Sequence, residues 1–153
     1  MSLIEKILGK VPFAFTKNLK QGKLVTQILK AVLDSEDASF VDVGCHKGEF
    51  LKVALKIAPR GEHYAYEAIP TYYEKLKPEF QNYVNLYNIA ITNYKGESEF
   101  NFVESNPGLS GFKKRDYPKT EKIIPIKVPT DSLDNLLKDA TSIEDRKSVV
   151  EGQ

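Results

Sequence analysis

Three observations predict a doubly wound α/β domain. Short β-branched runs alternate with amphipathic helical stretches over the first ninety or so residues, a glycine-bearing turn follows the first such run, and an acidic residue closes the second. Alternation of this kind builds a parallel sheet, because each strand returns to its neighbour through a crossover long enough to hold a helix. The 153 residues, 41% of them apolar, suffice for one such core, and no second independent domain is expected.

The elements follow in order. Ser2 and Glu5 form a capping-box pair ahead of Leu3, Ile4, Ile7 and Leu8, which share a helical face until Gly9. Leu24, Val25, Ile28, Leu29, Val32 and Leu33 recur at spacings of one, three and four, which predicts an amphipathic helix against a core. Residues 39–43 form a short apolar run ending at Gly44, as expected of a strand buried on both faces. Helical period returns with Phe50, Leu51, Ala54, Leu55 and Ala58, and Pro59 and Gly61 stop it. Residues 63–67 predict a second strand. Pro70 then opens a helix carrying Tyr73, Leu76 and Phe80, and residues 84–91 predict a third strand.

Beyond residue 92 the period changes to two. Phe100 and Phe102 alternate with polar residues after the turn at 93–96, as do Ile124, Ile126 and Val128, so an antiparallel strand pair is expected. Between them, residues 106–115 are polar and glycine-containing, and they predict a mobile loop. The Lys113 to Arg115 charge run reads as a solvated face, with contact to an anionic acceptor as the alternative.

Composition narrows the function classes. With 22 Lys and Arg against 21 Asp and Glu, the net charge of +1 lacks the basic footprint of a nucleic-acid binder. One cysteine and two histidines assemble neither a disulfide framework nor a Cys/His zinc site. The N-terminus carries an early acidic residue and no long apolar run, so neither a signal peptide nor a membrane span is expected, and a cytoplasmic setting is.

The chemistry concentrates in residues 42–48, where Asp42, Gly44 and Gly48 surround the strand-to-helix turn. Glycines there let backbone N–H groups and a helix N-terminus approach a ligand unobstructed. Glu67, about 20 residues on, ends the next strand, where a carboxylate can accept hydrogen bonds from both hydroxyls of a ribose. A dinucleotide fingerprint would need glycine two residues after the first, where the pyrophosphate meets bare backbone. His46 stands there, which favours a ribose-bearing cofactor without a pyrophosphate. The plainer readings are that Asp42 caps the turn, the glycines serve only its tightness, and Glu67 is a solvated strand-end carboxylate. Cys45 reads as a small space-filling side chain, His46 as an exposed loop residue, and the tyrosines at 64, 66, 72 and 73 as packing.

Residues 40–50 resemble the first motif of the FkbM-type methyltransferases, and residues 64–70 resemble the second. Asn88 to Ile91 with Gly96 is similar to the family's third strand and following turn, and Ser132 to Leu137 to its Leu-Asp segment. The resemblance spans about residues 38–137 in order. It implies a Rossmann-like class I methyltransferase sheet with helices on both faces and S-adenosyl-L-methionine as cofactor, with Asp42, Gly44 and Gly48 at its amino-acid end and Glu67 at its ribose. It also implies methyl transfer to an oxygen of a sugar or other hydroxylated small molecule or glycan. No residue is singled out as the base, and the sequence leaves the oligomeric state open.

In that family the Leu-Asp segment leads to a strand reading Lys-Ile-Asp-Val-Glu-Gly. Here residues 147–152 carry Val149 in place of the aspartate, and residues 145–152 also resemble a translated sequencing adapter joined to an interrupted gene. The expectation is therefore residues 1–37 as leading helices, 38–139 as a partial methyltransferase domain whose C-terminal strands are missing, and 140–153 as a partly artefactual tail. Two other function classes stay open: an NAD(P)-dependent oxidoreductase or epimerase, and a non-catalytic cofactor-binding module on the same scaffold.

Overall fold

The computed structural model describes residues 17–114, 121–138, 140 and 150–151. The helix expected at Ser2 to Leu8, Arg115 and Val149 lie outside the described residues. The first described element is helix α1 (Lys17–Val32). Leu29 and Leu33 are buried, whereas Ile28 and Val32 stay 38% and 41% exposed, so only part of the apolar stripe reaches the core.

Strand β1 (Val41–Val43) pairs in parallel with β2 (His63–Tyr66), and β2 with β3 (Val84–Tyr87), Val43, Tyr66 and Tyr87 lying side by side. The two-residue strand β7 (Val150–Glu151) runs parallel along the other side of β1, giving the order β3-β2-β1-β7. The alternation of side chains along each strand separates two cores. Phe40, Ala65, Val84 and Leu86 pack with α1, helix α2 (Glu49–Ile57) and helix α3 (Pro70–Phe80), whose Leu51, Ala54, Leu76 and Phe80 are buried. Val41, Tyr64 and Tyr66 face the opposite way, onto Ile91, Leu133, Leu136, Leu137 and Ala140.

The run over residues 84–91 is not one strand. Asn88 interrupts it, and β4 (Ala90–Ile91) leaves the parallel sheet to pair in parallel with β6 (Ile123–Asp131). The Asn88 amide explains the break: its Nδ2 donates to the carbonyls of Glu67 and Ala68 at 2.7 and 3.2 Å, pinning the chain to the end of β2 instead of continuing β3.

The expected antiparallel pair is present. β5 (Gly96–Val103) pairs with β6, with Phe100 opposite Ile126 and Phe102 opposite Ile124, and β4 makes the second sheet three-stranded and mixed. The stretch expected to be a mobile loop is tied down as far as Phe112. A 3-10 turn at Pro107–Leu109 leads to Gly111, which bridges Asn101, and the Asn101 Nδ2 donates to the carbonyls of Gly111 and Phe112 at 3.1 and 3.2 Å. Ser132 then caps the single-turn helix α4 (Leu133–Leu136), its Oγ accepting from the Asn135 N–H at 3.2 Å. Thus α2 and α3 line one face of the parallel sheet, and on the other the helical cover among the described residues is this one turn.

Candidate functional site

The C-terminal ends of β1 and β2 and the turns leaving them hold all four predicted site residues. Asp42 lies within β1 and is 7% exposed. The turn after it departs from ordinary backbone at alternate residues: φ is 77° at Gly44, 50° at His46 and 69° at Gly48. The Gly44 N–H donates to the Tyr66 carbonyl at 2.8 Å, holding the turn against the end of β2.

The two glycines serve different ends. A Cβ at Gly44 would meet nothing within 4 Å, so this position opens onto free space. At Gly48, the N-cap of α2, a Cβ would stand 2.6 Å from the Phe80 ring, so this glycine is needed for packing α2 against α3. His46 takes a backbone conformation that favours glycine, though histidine is among the side chains found there more often than most. Its ring lies 4.5 Å from that of Tyr72 on the first turn of α3.

Glu67 follows β2 and is 4% exposed. It is not a solvated strand-end carboxylate: Oε2 accepts from the His46 N–H at 2.8 Å and Oε1 from the Ile69 N–H at 2.9 Å. The carboxylate therefore joins the β1 turn to the β2 turn, and each oxygen keeps lone-pair capacity for a further donor.

Asp42 is different. Its Oδ2 is buried and has no hydrogen-bond partner, so capping of the turn does not account for that oxygen. Burial, and then the Glu67 charge, push the Asp42 carboxyl up to about 6. Burial likewise raises Glu67, against the lowering effect of its two backbone donors. Two desolvated carboxyl groups within electrostatic reach of each other make a place where a cation or a strong donor is welcome and a further anion is not.

The neighbouring groups take other parts. Cys45 is buried, and its thiol is pushed far up by burial and then by Asp42 and Glu67, which fits a space-filling side chain and not a nucleophile. His63 is 1% exposed, and its Nε2 is bonded to the Ala58 carbonyl at 2.8 Å, away from the turn. Tyr72 and Asn88 belong to the site's frame, the first against His46 and the second holding the β2 exit loop. A signal for Asn88 exists in the sequence, since it follows β3 directly as Glu67 follows β2. Lys113 sits two residues beyond the bridged Gly111.

An open groove of about 590 Å³ between α1 and α2 adjoins the turn at Glu49 and Phe50 but includes neither Asp42 nor Glu67. Among the described residues no three His, Cys, Asp or Glu side chains gather as a metal site, and no helix is long and apolar enough to cross a membrane. Against protein-family models, curated proteins and solved structures, the chain returns no match.

Proposed function

We propose that this chain carries the cofactor site of an S-adenosylmethionine-dependent methyltransferase on a Rossmann-like class I sheet, as the FkbM resemblance implies, with a hydroxylated small molecule or glycan as acceptor. The observation that carries the reading is the buried, unpartnered Asp42 Oδ2 at the mouth of the Gly44 to Gly48 turn. In parallel α/β sheets, ligands bind outside the carboxyl ends of the strands where strand order reverses. Here β1 lies between β2, reached by a crossover through α2, and β7, so the turn after β1 stands where the strand order reverses.

The residues fit this cofactor. Its α-ammonium is a cation with strong donors, which suits Asp42 Oδ2. Its ribose diol suits the remaining lone pairs of Glu67, and the open side of Gly44 admits the amino-acid chain. When bound, the cofactor supplies an electrophilic sulfonium methyl group. The protein's part is to fix that group in line with an acceptor oxygen, where placement within about 1 Å governs rate.

An NAD(P)-dependent oxidoreductase fits less well for two reasons. A pyrophosphate would bring negative charge toward two carboxyls that are already desolvated, and His46 puts a side chain where a dinucleotide turn needs none. Calorimetric titration of the protein with S-adenosylhomocysteine and, separately, with NAD and NADP tests the reading. Binding of the thioether alone is expected. NAD(P) binding with no thioether binding would replace the methyltransferase reading by the oxidoreductase one, and the absence of both in a folded sample would refute it outright.

A further inference from the structure

We infer that the free edge of β3 pairs antiparallel with the same edge of a second copy of this chain, joining two parallel sheets across a two-fold axis at Asn85. β3 ends the parallel sheet: β2 lies on one side of it, and among the described residues no strand lies on the other. Peptide groups along a strand turn alternately to its two sides. The Tyr87 carbonyl accepts from the Glu67 N–H at 3.0 Å, with Tyr87 aligned on Tyr66, so Tyr87 and Asn85 direct their peptide groups to β2. The N–H and C=O of Val84 and Leu86 therefore point away from the sheet.

This edge is its own complement. Residues 83–87 read Tyr-Val-Asn-Leu-Tyr, nearly the same in either direction. With Asn85 on the axis, Val84 meets Leu86 of the second copy, and the outward groups of these two residues exchange both their hydrogen bonds, once on each side of the axis. Moving the axis to Val84 or Leu86 would set one outward residue against Asn82, in the turn before β3, or against Asn88, which is held to the end of β2. Only the Asn85 axis gives both a partner.

The side chains suit the same register. Val84 and Leu86 face the core beneath α1, α2 and α3, so Tyr83, Asn85 and Tyr87 lie on the other face. Tyr83 is 68% exposed and Tyr87 41%, and Tyr87 stacks on Tyr66 with ring centroids 5.5 Å apart. In the pairing, Tyr83 of the second copy stands opposite Tyr87 and extends that stack, covering two of the large exposed side chains. Edges that stay free in solution carry charges, proline or a bulge. Residues 83–87 hold no charge and no proline, and their register with β2 is unbroken. β5, at the edge of the second sheet, differs: it carries Glu97 and Glu99, and Gly111 bridges it at Asn101.

A pairing of two such short edges buries far less than a standard interface of about 1,600 Å², so the dimer is weak, with a Kd on the order of 100 µM. Sedimentation of the full chain from about 10 µM to about 1 mM tests it, together with hydrogen exchange at the amides of Val84 and Leu86. A monomer that becomes a dimer is expected, with those two amides slowing as the dimer forms. Asn85→Lys sets like charges against each other on the axis and should weaken the dimer about tenfold or more. Asn85 is exposed, so the dilute variant should melt within about 2 °C of wild type. Asn85→Cys should cross-link under mild oxidation, because opposed residues of this kind stand about 4.5 Å apart at Cα, within disulfide range. Glu99→Cys, on β5, should not. A chain that stays monomeric to about 1 mM, a dimer that Asn85→Lys leaves intact, or equal cross-linking of the two cysteine variants overturns the inference.

Discussion

Replacing Asp42 by asparagine should make the ligand-free protein more stable at neutral pH while it damages the site. Burial and the Glu67 charge raise the Asp42 carboxyl from 3.8 in the unfolded chain to about 6 in the fold. Below about pH 3.8 both states hold the proton and the carboxyl contributes no penalty. Between 3.8 and about 6 the unfolded chain gives up its proton first, so stability falls as pH rises, and above 6 the whole penalty is present. About two pH units at about 1.4 kcal/mol each gives an upper value of about 3 kcal/mol. Asparagine keeps an unpartnered polar group in the same place, so a gain of about 1–3 kcal/mol is expected. For a chain of this length that is a rise in Tm of about 3–10 °C. Thermal melts of wild type and Asp42→Asn without ligand, at pH 8 and at pH 4, measure it: the variant should melt higher at pH 8, and the difference should shrink toward pH 4. S-adenosylhomocysteine affinity at pH 8 should move the opposite way. A variant that melts below wild type at pH 8 would show that the Asp42 carboxylate is satisfied in the fold, and the reasoning from its unpartnered oxygen would fail.

The two turn glycines should differ: Gly48→Ala meets both the left-handed backbone and the Phe80 ring and should lower Tm clearly more than Gly44→Ala, which meets the backbone penalty alone, and an equal loss in melting experiments would contradict the packing role of Gly48. Glu67→Gln keeps one acceptor oxygen for two backbone donors, so hydrogen exchange should speed up at the amide of His46 or of Ile69, and S-adenosylhomocysteine affinity should fall about tenfold to a hundredfold; unchanged affinity would confine Glu67 to holding the two turns together. Native Cys45 should resist thiol reagents at pH 8 and react fully only on unfolding, and stoichiometric labelling of the native protein would contradict its buried, high-pKa environment.

The strand, turn and helix sequence from β1 to α3 was legible because each signal is local. A β-branched run, a glycine at the strand exit, Pro70 at a helix start and apolar residues at helical spacing each act within a few residues. The end of β3 was not. Residues 84–91 form a nearly continuous apolar run, and what breaks it is an amide reaching carbonyls 20 and 21 residues earlier. The same holds for Glu67. Its position at a strand end could be read from spacing, and Ile69 is a local partner two residues on, but the His46 N–H reaches it only because β1 and β2 pair in register. From spacing Glu67 reads as a ribose ligand; in the fold the same carboxylate also joins two turns. His46 was recognised as a side chain in a place suited to glycine, but neither its left-handed backbone nor its contact with Tyr72 has a local sequence signal.

The central claim is that the unpartnered Asp42 oxygen and the Glu67 carboxylate hold the two ends of one thioether nucleoside. A crystal structure of the protein grown with S-adenosylhomocysteine tests it most directly. The account predicts the ligand's amino nitrogen within about 3 Å of Asp42 Oδ2 and its ribose hydroxyls within the same reach of Glu67, along the turn from Gly44 to Gly48. Ligand density elsewhere on the protein, with Asp42 Oδ2 still without a partner, would contradict it.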